Sequence, residues 1–205
     1  MTVHAPQRLA RQIRFIMEID KLKRIVRNTY LTDRVRLEND AEHSWHLAVM
    51  AMLLSEYAAD ASIDVLKVIK MVLIHDLVEI DAGDALVYDE AARAEKARFE
   101  QAAADRIFTL LPEDQGAQLR ALWEEFEARR TGEARFAAAL DRLQPLLHNY
   151  HTEGGAWREH GITLDRVLER NGHMAEGSPA LWEYAERFIR DAAERGWLPT
   201  GPAEG

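Results

Sequence analysis

The stretch VLKVIKMVLIHDLVEIDAGD, residues 65–84, is apolar enough for a buried helix, yet it carries His75 and Asp76 side by side. Burying two such polar groups is costly unless something satisfies both. A divalent cation would do so, and the chain offers further ligand types at His43 and Asp141. Imidazole nitrogen and carboxylate oxygen suit Mn, Co, Mg, Fe or Zn rather than a soft metal. Two His and two Asp would leave positions on an octahedral ion for water and a phosphate oxygen. That donor set predicts metal-assisted hydrolysis of a phosphate ester.

Working outward, nearly every segment repeats its apolar residues at helical rather than alternating spacing. Residues 8–27 read as a first amphipathic helix and residues 28–39 as a loop. A second helix begins near Asp40, capped by Asn39 or Asp40. Ser62 is expected to cap a third, continuing past His75 to about Glu79, and Gly83 then breaks the period. A charged helix follows from about Asp89 to Leu111. The next starts at Pro112, since proline is tolerated in a first turn, and ends near Arg129. The sixth, residues 133–151, carries Asp141, and Pro145 should kink it. Residues 152–162 read as a loop, and two last helices start at Thr163 and at Ser178-Pro179, ending at Gly196. No strand, repeat or low-complexity tract is evident. The expected fold is all-α, one helical-bundle domain over residues 1–198, with residues 199–205 a disordered tail.

Composition fits this. The chain has 205 residues, enough for one domain with a real core and too few for two ordinary ones. With no cysteine, disulfides, zinc-thiolate sites and thiol nucleophiles are excluded. A formal charge of −9 disfavours nucleic-acid polymers. No basic-then-apolar leader opens the sequence, and lysine or histidine interrupts every apolar run short of a membrane span. A cytoplasmic protein without membrane association is the expectation.

Each site residue also has an ordinary explanation. A lone histidine such as His43 is more often a core or surface residue than a ligand, and Asp141 could simply pair with Arg142. Glu79 lies four residues after His75 and three after Asp76, on the same helical side, close enough to orient or deprotonate a water. It could equally be a solvated helix end. Asp84 follows a glycine turn that could swing it back over a metal as a proton donor, or it could be an ordinary turn aspartate. His148 falls seven residues after Asp141, on nearly the same face, and with His151 could line a pocket or cap a helix end. His46, one turn beyond His43, reads as a supporting or core residue.

The pattern EH at 42–43, HD at 75–76, ExxxxD from Glu79 to Asp84 and LD at 140–141 resembles the HD-domain superfamily of metal-dependent phosphohydrolases. Within it the likeness is greatest to the 5′-deoxynucleotidases and the HD-domain-containing protein 2 group. The stretches ENDAEHSWHLAVMAM, VLIHDLVEIDAGD, LLPED, LWEEFE and FAAALDRLQ carry it, over roughly residues 20–150. The resemblance implies that His43, His75, Asp76 and Asp141 bind one divalent cation and that Glu79 and Asp84 serve the chemistry. It implies a substrate-binding arginine at Arg27, followed in the family by a tryptophan where this chain has Asn28. Tyr30 is the nearest aromatic, and Arg36 and Lys23 are other conceivable phosphate contacts.

The implied reaction is hydrolysis of a nucleoside 5′-monophosphate, with deoxynucleotides foremost, by a homodimer. The alternatives are another phosphorylated metabolite as substrate, or a non-catalytic metal-binding scaffold. Two-metal HD enzymes need extra histidines between the His-Asp pair and the last Asp, and none lies between His75 and His148.

Overall fold

The structure, a computed structural model, describes residues 6–84 and 90–201, the side chains of residues 90–97 excepted. The chain opens with α1 (Gln7–Ile19), a 3₁₀ turn (Asp20–Arg24), and strands β1 (Val26–Tyr30) and β2 (Leu37–Asn39). Helix α2 (Asp40–Leu54) and α3 (Val65–Ile74) follow, then a 3₁₀ turn (His75–Val78) and the single turn α4 (Glu79–Ala82). Next come α5 (Glu90–Phe108), α6 (Glu113–Ala128) and α7 (Gly132–His151). The last elements are α8 (Gly155–Glu159), α9 (Leu164–Asn171), α10 (Met174–Gly177) and α11 (Pro179–Glu194).

The helical class is as expected, with local corrections. The first helix stops at Ile19 instead of running to residue 27, and residues 26–39 form an antiparallel hairpin where a loop was expected. Its register slips between the Val26–Asn39 and Tyr30–Leu37 pairs, so the irregularity falls on Arg27, Asn28 and Thr29. Such a short, irregular strand has too few residues to display alternation. Asp64 rather than Ser62 caps α3, accepting from Leu66 and Lys67 N–H at 2.9 and 3.2 Å, while the Ser62 hydroxyl is held by Asp60. The α-helix ends before His75, and 3₁₀ geometry carries the chain to Glu79. The expected loop at 152–162 contains α8. The predicted start at Asp89 and tail residues 202–205 lie outside the described residues.

Helix α7 runs through the middle of the molecule, packed by α2, α3, α6, α10 and α11. Its Ala137–Ala138–Ala139 run is fully buried, and such small residues let neighbouring helices approach closely. At Gly177 of α10 the approach leaves no room for a side chain: a Cβ there would sit 2.1 Å from the Arg135 carbonyl oxygen. The main core lies between α2, α3, α7 and α11, with Leu47, Met71, Leu140 and Ile189 fully enclosed. A second cluster, with Ile107, Phe108 and Trp123, packs under the His75–Val78 turn through Leu77 and Val78. His43 and Asp141 thus lie on helices of the first cluster, and His75 and Asp76 on the turn packed by the second.

Candidate metal centre and pocket

Each candidate ligand is delivered by a local device. Asn39 caps α2, accepting from Glu42 N–H at 3.1 Å while the Glu42 carboxylate accepts the Asn39 N–H at 3.2 Å, a capping box that fixes the first turn holding His43. The 3₁₀ turn after α3 stacks residues three apart, so Asp76 and Glu79 superpose. Their carboxylate oxygens and one of Asp40 lie within 4.8 Å of one another. Asp141 comes from mid-α7, four residues before Pro145, whose missing N–H leaves the Asp141 carbonyl without its usual helical donor.

These side chains meet. His43, His75 and Asp141 bring one ligand atom each within 4.8 Å of the others, all buried. His43 Nε2 is 3.0 Å from Asp141 Oδ1 and 4.0 Å from Asp76 Oδ2. His75 Nε2 is 3.1 Å from Asp76 Oδ1 and 3.6 Å from Asp141 Oδ1. His75 Nδ1–H donates to the Val72 carbonyl at 2.9 Å, so a neutral ring turns its Nε2 lone pair toward the carboxylates. That Nε2 is buried without a hydrogen-bond partner. Lone pairs facing carboxylate oxygens in a buried site repel unless a cation or proton lies between them.

The electrostatics carry the same demand for positive charge. Burial and Arg27 push the His43 imidazole down, but Asp141, Glu38 and Asp76 outweigh them and lift it to about 9. Burial lowers His75, and Asp76 and Asp141 more than reverse it. Burial would raise Asp141, yet Arg142, His43 and His75 hold it well below the usual carboxylate range. Burial and the Asp76 charge push Asp40 up to about 7. The donor set, two imidazoles and hard oxygens, fits a divalent cation of the Mn–Zn series or Mg.

Beside this cluster a cavity of about 300 Å³, the size of a small ligand, is lined by His75, Asp76, Glu79, Asp84 and Asp141. Arg27, Asn28 and Thr29 of β1 form one wall; Phe126, Leu146, Trp157 and Ile162 form an apolar one. The Arg27 guanidinium donates to Asp76 Oδ2 at 2.9 Å and Asp40 Oδ1 at 3.2 Å. Asp84 follows Gly83, whose φ of +74° favours glycine, and accepts from Asn28 Nδ2 at 3.4 Å.

All seven sequence-derived candidates thus border one cavity or the cluster beside it. Other suggestions fall elsewhere. Tyr30 does not line the cavity; its hydroxyl bonds Glu159 at 2.8 Å. Arg36 pairs with Glu42 and Lys23 with Asp20, both at the surface. His148 is buried but engaged with Gln144 and the Tyr30 carbonyl, and His151 is exposed. The sequence reading missed Arg129 and Arg170 and took Arg142 only as an ion-pair partner of Asp141, from whose Oδ2 its Nη2 stands 3.2 Å; all three line the cavity with Glu100 and Glu127. Arg129 and Arg170 stand at helix ends, and Arg129 takes a left-handed φ of 50° at the α6 C-cap.

Comparison with known proteins adds independent findings. A family model described as HD domain matches residues 19–182. The human 5′-deoxynucleotidase HDDC2 is 33% identical over 136 residues, 66% of this chain and 65% of the relative. The Schizosaccharomyces pombe 5′-deoxynucleotidase hdd1 is 25% identical over 189 residues, 90% of this chain and 85% of that one. The chain matches just under two thirds of the length of the Xenopus laevis and human relatives. A crystal structure of a predicted metal-dependent phosphohydrolase from Magnetospirillum magnetotacticum MS-1 superposes with a TM-score of 0.90 at 53% identity, covering 95% of this chain and 100% of that one.

Proposed function

The chain belongs to the HD domain family, and from that premise we propose that it is a metal-dependent phosphohydrolase acting on (deoxy)nucleoside 5′-monophosphates. The observation that carries this is the buried Nε2 of His75, aimed with His43 at the carboxylates of Asp76 and Asp141 beside a ligand-sized cavity. We assign His43, His75, Asp76 and Asp141 as ligands of one divalent cation. When bound, that cation supplies Lewis-acid charge at the phosphoryl oxygens.

The chain's own groups do the remaining work. Glu79, stacked on Asp76 at the cavity, orients a water and takes its proton as the oxygen attacks phosphorus. Asp84 returns a proton to the leaving 5′ oxygen as the P–O bond breaks, so nucleoside and inorganic phosphate are the products. Arg27 offsets the charge of the phosphate from the β1 wall. Names of relatives support the nucleotide substrate: several are 5′-deoxynucleotidases. A second reading, another phosphorylated metabolite bearing an additional anionic group, is favoured by Arg129, Arg142 and Arg170 on the same cavity. A cytoplasmic homodimer is part of the proposal. No described helix is long and apolar enough to cross a membrane, and Trp45, Met52 and Leu53 leave an exposed apolar strip on α2.

The test is phosphate release from a panel of 5′-deoxynucleotides and ribonucleotides after chelation and re-addition of Mn or Co. Metal-dependent release that disappears in Asp76→Ala is the expected result. Equal release by Asp76→Ala would sink the mechanism.

A further inference from the structure

A second group of ligand-type residues lies behind the metal centre: Glu38, His46 and His148 bring one atom each within 4.8 Å of one another. On spacing alone it resembles another cation site. Its centre is already filled by the amide nitrogen of Gln144, which is completely buried. That nitrogen is 2.6 Å from Glu38 Oε1, 3.2 Å from His148 Nε2 and 3.4 Å from His46 Nδ1.

The hydrogen-bond directions are fixed by chemistry. An ionised Glu38 can only accept, so the Gln144 atom facing it is the NH₂. His148 donates its Nδ1–H to the Tyr30 carbonyl at 3.1 Å, which leaves its Nε2 to accept the other amide hydrogen. Gln144 Oε1 therefore points the opposite way, to His43 Nδ1 at 3.1 Å. A carbonyl oxygen can only accept, so His43 must carry its proton on Nδ1. In the neutral ring that a cation requires, its Nε2 is then the lone-pair atom, aimed at Asp141 and the metal centre.

We infer that Gln144 is a positioning residue that sets the tautomer of His43, with Glu38 and His148 locking the amide so that it cannot turn over. This rests on His43 being a metal ligand. The same chain of bonds, from Tyr30 through His148 and Gln144 to His43, ties β1, the strand holding Arg27, to the metal centre. Partners behind a ligating histidine fix its tautomer and ring orientation, and losing one weakens metal binding by roughly 10–100-fold.

The experiment compares Gln144→Leu and Glu38→Gln with the parent protein by zinc calorimetry and by NMR of the His43 ring in the zinc-loaded protein, without substrate. Glu38→Gln keeps the volume but offers a donor, so Gln144 is no longer held one way round; because Glu38 Oε2 also stands 3.6 Å from His43 Nδ1, this variant is judged by loss of the Nδ1-protonated ring together with affinity. The expected result is a 10–100-fold rise in the zinc Kd of both variants. In the parent, the protected imidazole proton is expected on Nδ1. Circular dichroism of the metal-free proteins checks folding, and if Gln144→Leu does not fold, Glu38→Gln decides. Unchanged zinc affinity in folded variants, or a parent His43 protonated on Nε2, would overturn the inference. So would a second zinc bound by the parent and lost in His148→Ala. Failure of the parent to bind any zinc would overturn the metal centre and the inference together. Zinc binding with the expected tautomer but no phosphate release would defeat only the proposed reaction.

Discussion

His75 combines a committed Nδ1–H with a buried, unpartnered Nε2 facing carboxylates, and its neighbours divide the work at the cavity. Glu79 borders that cavity without belonging to the proposed ligand set. Glu79→Gln is therefore expected to lower kcat by about 10²–10⁴-fold while zinc affinity measured by calorimetry is retained. A residue away from the cluster contributes to acid sensitivity. Burial, then Arg129 and Arg142, push His173 down to about 4. The unfolded chain then binds the extra proton between the unfolded value and 4, so stability is fully present above the unfolded value and is lost as pH falls through 4. Solvent around the partly exposed ring screens part of this effect. Urea unfolding of the metal-free protein at several pH values should be less acid-sensitive in His173→Gln than in the parent; equal slopes would refute this. The ligand types were legible at this scale because histidine beside aspartate stands out in an apolar run. Gln144 was not, since an amide in a helix carries no sequence mark.

Helix α2 does two jobs with opposite faces. Its capping box sets the turn that holds His43, so Asn39→Ala should cost about 1 kcal/mol in denaturant unfolding and weaken zinc binding as well. A stability loss with unaltered zinc affinity would uncouple the cap from the site. On the outer face Trp45, Met52 and Leu53 are 64%, 57% and 68% exposed. Trp45→Glu is expected to shift the sedimenting species from dimer to monomer, and a monomeric parent would remove this face from consideration. Helix starts were readable where a capping side chain is local, as at Asn39 and Ser178. The β1–β2 hairpin was not, because its pairing depends on the chain folding back over α7 and α8 rather than on alternation within five residues.

The described residues pack into two apolar clusters, the larger built around α7, and the proposed cation would be held by residues on elements of both. Binding there should stabilise the folded state by about 2.7 kcal/mol at a hundredfold excess over Kd. Chelation is thus expected to lower Tm by roughly 5–10 °C, read by calorimetry. An unchanged Tm would separate metal binding from folding. Sequence by itself determined the helical class, because helical periodicity and caps are local properties. It also marked His75 and Asp76, whose chemistry is conspicuous in apolar surroundings, while the family resemblance carried Arg27 and the roles of the other candidates. Tertiary structure alone decided which of them converge, which arginines share their cavity, and which way Gln144 faces. Those depend on distances between residues as far apart as Glu38 and Gln144, set by the packing of α2 and β2 against α7.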